Sequence, residues 1–160
     1  GHSGADLVRL ITCHFPGFRD ACVYKGHQVF LYKRAQILVG DIYGAFKGQG
    51  LGKFDDISEL TMFADYRVPV TLLEMNVLEY TDDLAKKILA KKVLEPGSPE
   101  EVEIRACTVQ AVEMIMAEMR RTFTDQSLVP RSIELDWFLW QAGEKRRDVS
   151  DPHHRVMTIF

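Results

Sequence analysis

Three aspartates interrupt otherwise apolar patterns: Asp41 in ILVGDIYGAF, Asp65 in TMFADYRVP and Asp136 in IELDWFLW. A carboxylate taken out of water is costly unless it is paired or hydrogen-bonded, and its pKa is displaced as a result. Each of the three has an ordinary use, capping a neighbouring helix or pairing with a core arginine. Asp65 stands apart because Pro69 follows four residues later. Proline offers no N–H to the Asp65 carbonyl and pushes Val68 away from helical angles. Such a break frees backbone groups beside the acid and can present the carboxylate to a cavity. Tyr66 and Arg67 follow it directly.

Cations and rings supply the other half of a site. Lys33 and Arg34 open a hydrophobic segment, and Arg105 lies two residues after Glu103. His153, His154 and Arg155 form a cluster that suits either a phosphate or a solvated loop. Trp137, Phe138 and Trp140 beside Asp136 read either as a stacking wall for a planar base or as ordinary core. A dry carboxylate, an aromatic wall and basic groups together suit cleavage of an N-glycosidic bond. Its transition state develops positive charge on the ribose, which a fixed carboxylate stabilises directly or by covalent capture. A proton donor or hydrogen bond helps the departing base, and basic side chains would hold a 5′-phosphate. These residue types alone name no substrate. GQGLG lacks the spacing and the Lys-Ser/Thr ending of a phosphate loop and reads as a helix end and turn. His14, His27 and the three cysteines have no metal-ligand spacing, so neither a metal nor a cofactor is implied.

The elements that must position these groups are mainly helical. At 160 residues, 46% hydrophobic and 27% charged, the chain can build one sizeable core or part of a larger one. Its net charge of -3 argues against a duplex-coating DNA binder. No apolar run approaches bilayer length, and an odd, scattered set of cysteines fits a reducing, cytoplasmic setting. Residues Gly4 to Phe15 read as a helix capped by Ser3, and ACVYKGHQVFLY as a hairpin turning at Lys25-Gly26. KRAQILVGDIYGAFK reads as a helix ended by Gly48, and DISELTMFADYR as another leading up to the break. Pro69 then opens a helix running through VTLLEMNVL, which puts Asp65 at a helix–helix junction. TDDLAKKILAKK is a short helix with acidic start and basic end. Ser98, Pro99 and Glu101 spell a capping box for a helix reaching about Phe123, and a last helix carries SIELDWFLWQAGEK. DVSDPHHRV reads as a loop rich in ionisable groups.

FLYKRAQILVGD, LTMFADYRVPV, the EVEIRAC helix start, IELDWFLW and DPHHRV stand in the order and approximate spacing of the queuosine salvage proteins, which are queuosine 5′-phosphate N-glycosylases (hydrolases). The resemblance runs from about Ser3 to Phe160 and is most specific in YKRAQILV and TMFADYRVP. Family members are considerably longer, so the resemblance implies a single domain over residues 1–160 or the C-terminal half of a larger helical glycosylase domain. It implies a mainly α fold similar to the helix-hairpin-helix DNA glycosylases, with a small β-hairpin near the N-terminus. The implied reaction releases queuine, a 7-deazaguanine base, from queuosine 5′-monophosphate for reinsertion into transfer RNA. The family's essential aspartate matches Asp65, and its substrate-site lysine matches Lys33. Tyr66, Arg67, Asp136, Trp140, His153, His154 and Arg155 fall in matching segments and are carried over as substrate-binding residues. Gln141 stands where some relatives are expected to have an acid.

Other classes remain open on sequence. A non-catalytic module holding queuosine nucleotide or tRNA would use the same stacking and phosphate groups without cutting a bond. A DNA-lesion glycosylase fits the implied fold but not the acidic balance. A purely structural half, with activity in the missing residues, sits poorly with Asp65 and Lys33 both being present. Expected partners are the nucleotide and the missing N-terminal half, not duplex DNA or a membrane.

Overall fold

Ser3 opens the fold by capping α1 (Gly4–His14): its Oγ accepts the Asp6 N–H at 3.0 Å and donates to Asp56 Oδ2 at 2.6 Å. Asp56 also accepts the Gly4 and Ala5 N–H groups, so a carboxylate remote in sequence closes the positive end of the helix. The computed structural model describes residues 1–146, mainly helical with one hairpin. Strands β1 (Ala21–Tyr24) and β2 (His27–Phe30) pair antiparallel with Tyr24 opposite His27. Lys25 and Gly26 both have positive φ, 48° and 81°, which matches the twist of a two-residue hairpin turn. Helices α2 (Lys33–Ala45), α3 (Val68–Glu74), α4 (Asp82–Leu89), α5 (Pro99–Thr122) and α6 (Ser132–Glu144) follow. The Thr81 hydroxyl caps α4 and the Ser98 hydroxyl caps α5. The return half of the capping box is redirected: Glu101 takes the Gly97 N–H with one oxygen and the Arg105 guanidinium with the other. Among the described residues no helix is long and apolar enough to cross a membrane.

The helix expected over DISELTMFADYR does not form. A 3-10 turn (Ile57–Glu59) leads instead into chain with neither helix nor sheet from Leu60 to Asp65. This run is buried on two sides. Leu60 and Phe63 enter a cluster with Val8 and Ile11 of α1, Ala35 and Val39 of α2, and Ile133. Met62 and Ala64 enter another with Val68 and Leu72 of α3, Val112 and Met116 of α5, and Leu135 and Leu139 of α6. Side chains replace the missing ladder. Gln36 Oε1 accepts the Thr61 N–H at 3.0 Å, Asp136 Oδ1 accepts the Phe63 N–H at 3.0 Å, and Arg105 Nε donates to the Ala64 carbonyl at 2.9 Å. Asp65 therefore stands at a coil-to-helix junction, not between two helices. Helix α3 also stops sooner than expected, because Asn76 adopts a left-handed φ of 56° and the Val77 N–H returns to the Leu72 carbonyl at 2.9 Å.

Candidate active site

A cavity of about 440 Å³ opens where this irregular run meets α2 and α6, lined by Lys33, Ile37, Asp41, Phe63, Asp65, Tyr66, Asp136, Trp137 and Trp140. Two of its acids are nearly dry: Asp65 is 5% exposed and Asp136 is 4% exposed. Asp65 Oδ1 accepts the N–H groups of Arg67 at 3.1 Å and Val68 at 2.9 Å, where α3 begins. Burial raises its pKa, opposed by the Val68 hydrogen bond, the Lys33 ammonium, the Arg67 N–H and the Arg67 charge. Asp136, on α6, accepts one backbone N–H, from Phe63. Burial, reinforced by the charge of Asp65, pushes the Asp136 carboxyl up to about 8, against the Phe63 bond and Lys33.

The two carboxyls form a coupled pair with unequal surroundings. Asp65 has two N–H donors and the start of a helix to hold its negative charge; Asp136 has one donor and a neighbouring anion. The first ionisation therefore falls on Asp65, and Asp136 is the acid that holds its proton longer. Environments that push two acids apart in this way provide an anion and a proton donor in one cavity.

A profile of the family described as "Queuosine salvage protein" matches residues 1–160. This chain belongs to the queuosine salvage protein family. It is 53% identical over 154 residues to a protein of Dictyostelium discoideum named queuosine 5′-phosphate N-glycosylase/hydrolase, covering 96% of this chain and 47% of that one. Proteins with the same name from Sphaerobacter thermophilus and Mus musculus are 46% and 41% identical over 160 and 165 residues. Both alignments cover 100% of this chain, and 48% and 49% of those proteins. The chain thus spans about half the length of the curated relatives it matches.

Most residues that the family resemblance singled out are brought together. Lys33 starts α2 and reaches the cavity, and Tyr66 and Trp140 form part of its wall. Trp140 is 41% exposed, whereas Phe138, at 67%, points away from the lining. Asp41 is exposed and lines the cavity as a hydrated acid, although the pattern around it is apolar.

Arg67 is set apart from the other residues of its motif. It is fully buried and outside the cavity lining, and its Nε donates to Glu144 Oε1 at 2.8 Å. Its aliphatic stem fills the space left by Gly143, where a Cβ would lie 2.7 Å from Arg67 Cδ. Arg67 thus joins α3 to α6. His153, His154 and Arg155 lie outside the described residues.

Sequence reasoning missed Asp20. It is 5% exposed and accepts both Arg105 Nη1, at 2.9 Å, and Arg105 Nη2. Glu101 and Arg105 were readable, since charges four apart on the apolar stripe of a long helix demand a buried partner. Asp20 itself, in a loop, gave no signal. A larger depression of about 700 Å³ lies between the end of α5 and the start of α6, but its Arg131 and Glu134 pair with each other at 3.1 Å and it lacks a buried acid among the residues that line it.

Proposed function

We propose that this chain carries the catalytic carboxylate of an N-glycosidase that hydrolyses queuosine 5′-phosphate to queuine and ribose 5-phosphate. The observation that carries this reading is the pairing of two buried acids of unequal acidity, Asp65 and Asp136, on one ring-walled cavity with Lys33. As the bond between ribose C1′ and the base nitrogen lengthens, its electron pair leaves with the base and positive charge grows on the sugar. Ionised Asp65 stabilises that charge, and more strongly in a dry site than in water. Protonated Asp136 hydrogen-bonds the departing base or gives it a proton. Water adds to C1′, its hydroxyl staying on the sugar and its remaining proton restoring the acid. Tyr66, Trp137 and Trp140 offer faces for the planar base, and Lys33, whose charge favours the ionised form of both acids, faces the substrate.

Support also comes from the names of the relatives, read with the fact that each is about twice as long. The His153-His154-Arg155 cluster is assigned to the 5′-phosphate, and the further length of the relatives supplies remaining contacts. A cytoplasmic location accompanies this reading; Cys13, Cys22 and Cys107 are free thiols. The test is mass-spectrometric detection of free queuine after mixing the protein with queuosine 5′-monophosphate, with Asp65→Asn and the Dictyostelium relative run alongside. Queuine from the wild type and none from Asp65→Asn is the expected result. Asp65→Asn that keeps most of the activity would remove Asp65 from the reaction.

A further inference from the structure

Asp20 belongs to no motif, yet it ties together the two segments that carry the cavity's charges. Its carbonyl accepts the N–H groups of Leu31 and Tyr32, each at 3.0 Å, and its Oδ2 accepts the Lys33 N–H at 3.0 Å. The three residues that lead into α2 are thus held by one residue of the loop before β1. The same carboxylate engages both Nη atoms of Arg105. Arg105 in turn donates from Nε to the carbonyl of Ala64, the residue before Asp65. A continuous path runs from the Lys33 backbone through Asp20 and Arg105 to the Asp65 backbone. Its charged links are dry, Asp20 5% and Arg105 2% exposed, and so is Glu101 beside them at 3%.

A buried ion pair is a poor way to stabilise a core, because desolvation offsets much of its attraction. What this one supplies is geometry: a guanidinium fork fixes three acceptors at once, and those acceptors belong to the loop before β1, α5 and the run that ends at Asp65. We propose that Asp20 and Arg105 are positioning residues that set the spacing between the Lys33 ammonium and the Asp65 carboxylate. The proposal rests on the N-glycosidase reading for its functional meaning, since that spacing decides how strongly Lys33 favours the ionised acid. The groups that face Asp65 are Lys33 and Asp41 from α2, Asp136 from α6, and Tyr66 and Arg67 from its own segment. Helix α5 reaches it through Arg105 on the Ala64 carbonyl.

The direction of a titration shift separates positioning from simple electrostatics. Deleting the Asp20 charge, acting through space alone, would make nearby carboxyls more acidic. Loosening the path lets Lys33 draw away from the acids and makes both less acidic. The experiment follows the Asp65 and Asp136 carboxyl carbons by NMR against pH in the wild type, Asp20→Asn, Lys33→Met and the double variant. The expected result is an upward shift of at least about half a pH unit in Asp20→Asn, a similar shift in Lys33→Met, and little more in the double variant. A downward or absent shift in Asp20→Asn, or a full second shift on top of Lys33→Met, overturns the proposal. Arg105→Lys keeps the charge but cannot span Asp20 and Ala64 together; it carries the same expectation and serves if Asp20→Asn does not fold. Queuine release is measured on the same samples. Turnover that survives Asp65→Asn, with the shifts present, would overturn the enzyme reading and leave the positioning role standing.

Discussion

Phe63 donates its backbone N–H to the carboxylate of Asp136 across 3.0 Å, so the acid on α6 is also a backbone partner of the run that carries Asp65. In the proposed reaction Asp136 thus has two jobs that substitution can pull apart. The amide of Asp136→Asn still accepts the Phe63 N–H, so the melting temperature at pH 7 should stay close to or above that of the wild type. The amide carries no proton to give, and turnover should fall by roughly 100-fold or more. Asp136→Leu removes both functions and leaves a buried N–H unpaired, at about 1–3 kcal/mol of stability. Thermal melts and initial rates on the two variants check this. Equal activity of Asp136→Asn and wild type would refute the donor role.

The raised Asp136 pKa also fixes the sign of a pH effect on stability. Its folded value of about 8 lies above the ordinary 3.8, so the folded state holds a proton that the unfolded state releases. The contribution of Asp136 is fully present below about pH 4 and is lost as the pH rises towards 8. Burial raises Asp65 in the same direction. The wild type should therefore lose melting temperature between pH 5 and pH 9 relative to Asp136→Asn, with the variant the more stable at pH 9. Turnover by the wild type should decline above about pH 8 as the donor ionises. Melting curves of both proteins at intervals across this range decide the sign.

The positions of the acids were more legible than the backbone that presents them. Ser3, Ser98 and the Lys25-Gly26 turn announce α1, α5 and the hairpin through local hydrogen bonding and turn geometry that sequence reports directly. Leu60 to Ala64 defeated the reading because an apolar run buried on two sides has no period of its own. Its backbone partners, Gln36, Asp136 and Arg105, come from three helices far away in sequence. The same holds at the site. Asp65 was visible from Pro69, whereas Arg67 was carried over with the motif it shares, and its packing against Gly143 and Glu144 could not be read from there.

Arg67 provides a test of that distinction. Its guanidinium is buried against Glu144 and its stem against α6, so truncation leaves a carboxylate without this partner and a gap between helices. Arg67→Ala should lose about 3–5 kcal/mol, read by urea unfolding. Gly143→Ala should also destabilise, since its Cβ would meet Thr71 Oγ1 at 2.5 Å and Arg67 Cδ at 2.7 Å. Neither should change KM in the fraction that stays folded. A large rise in KM for Arg67→Ala with unaltered unfolding would return this residue to the substrate site.

The two tryptophans of the wall should respond differently. Trp137 packs against the cluster that holds Val39 and Ile133, and its ring edge lies 3.2 Å from where a Cβ on Gly44 would be. Trp140, 41% exposed, offers a ring face that the core does not use. Trp137→Ala should therefore cost about 2–4 kcal/mol of folding stability, while Trp140→Ala should cost less than about 1 kcal/mol. For binding the order reverses, because a base stacked on an aromatic face gains about 1–3 kcal/mol, roughly 5- to 150-fold in affinity. Calorimetric titration of queuosine 5′-monophosphate into Asp65→Asn, with and without Trp140→Ala, measures that gain without turnover. If both proteins bind the nucleotide equally well, Trp140 is not a stacking residue and the base is held by Tyr66 or Trp137 instead.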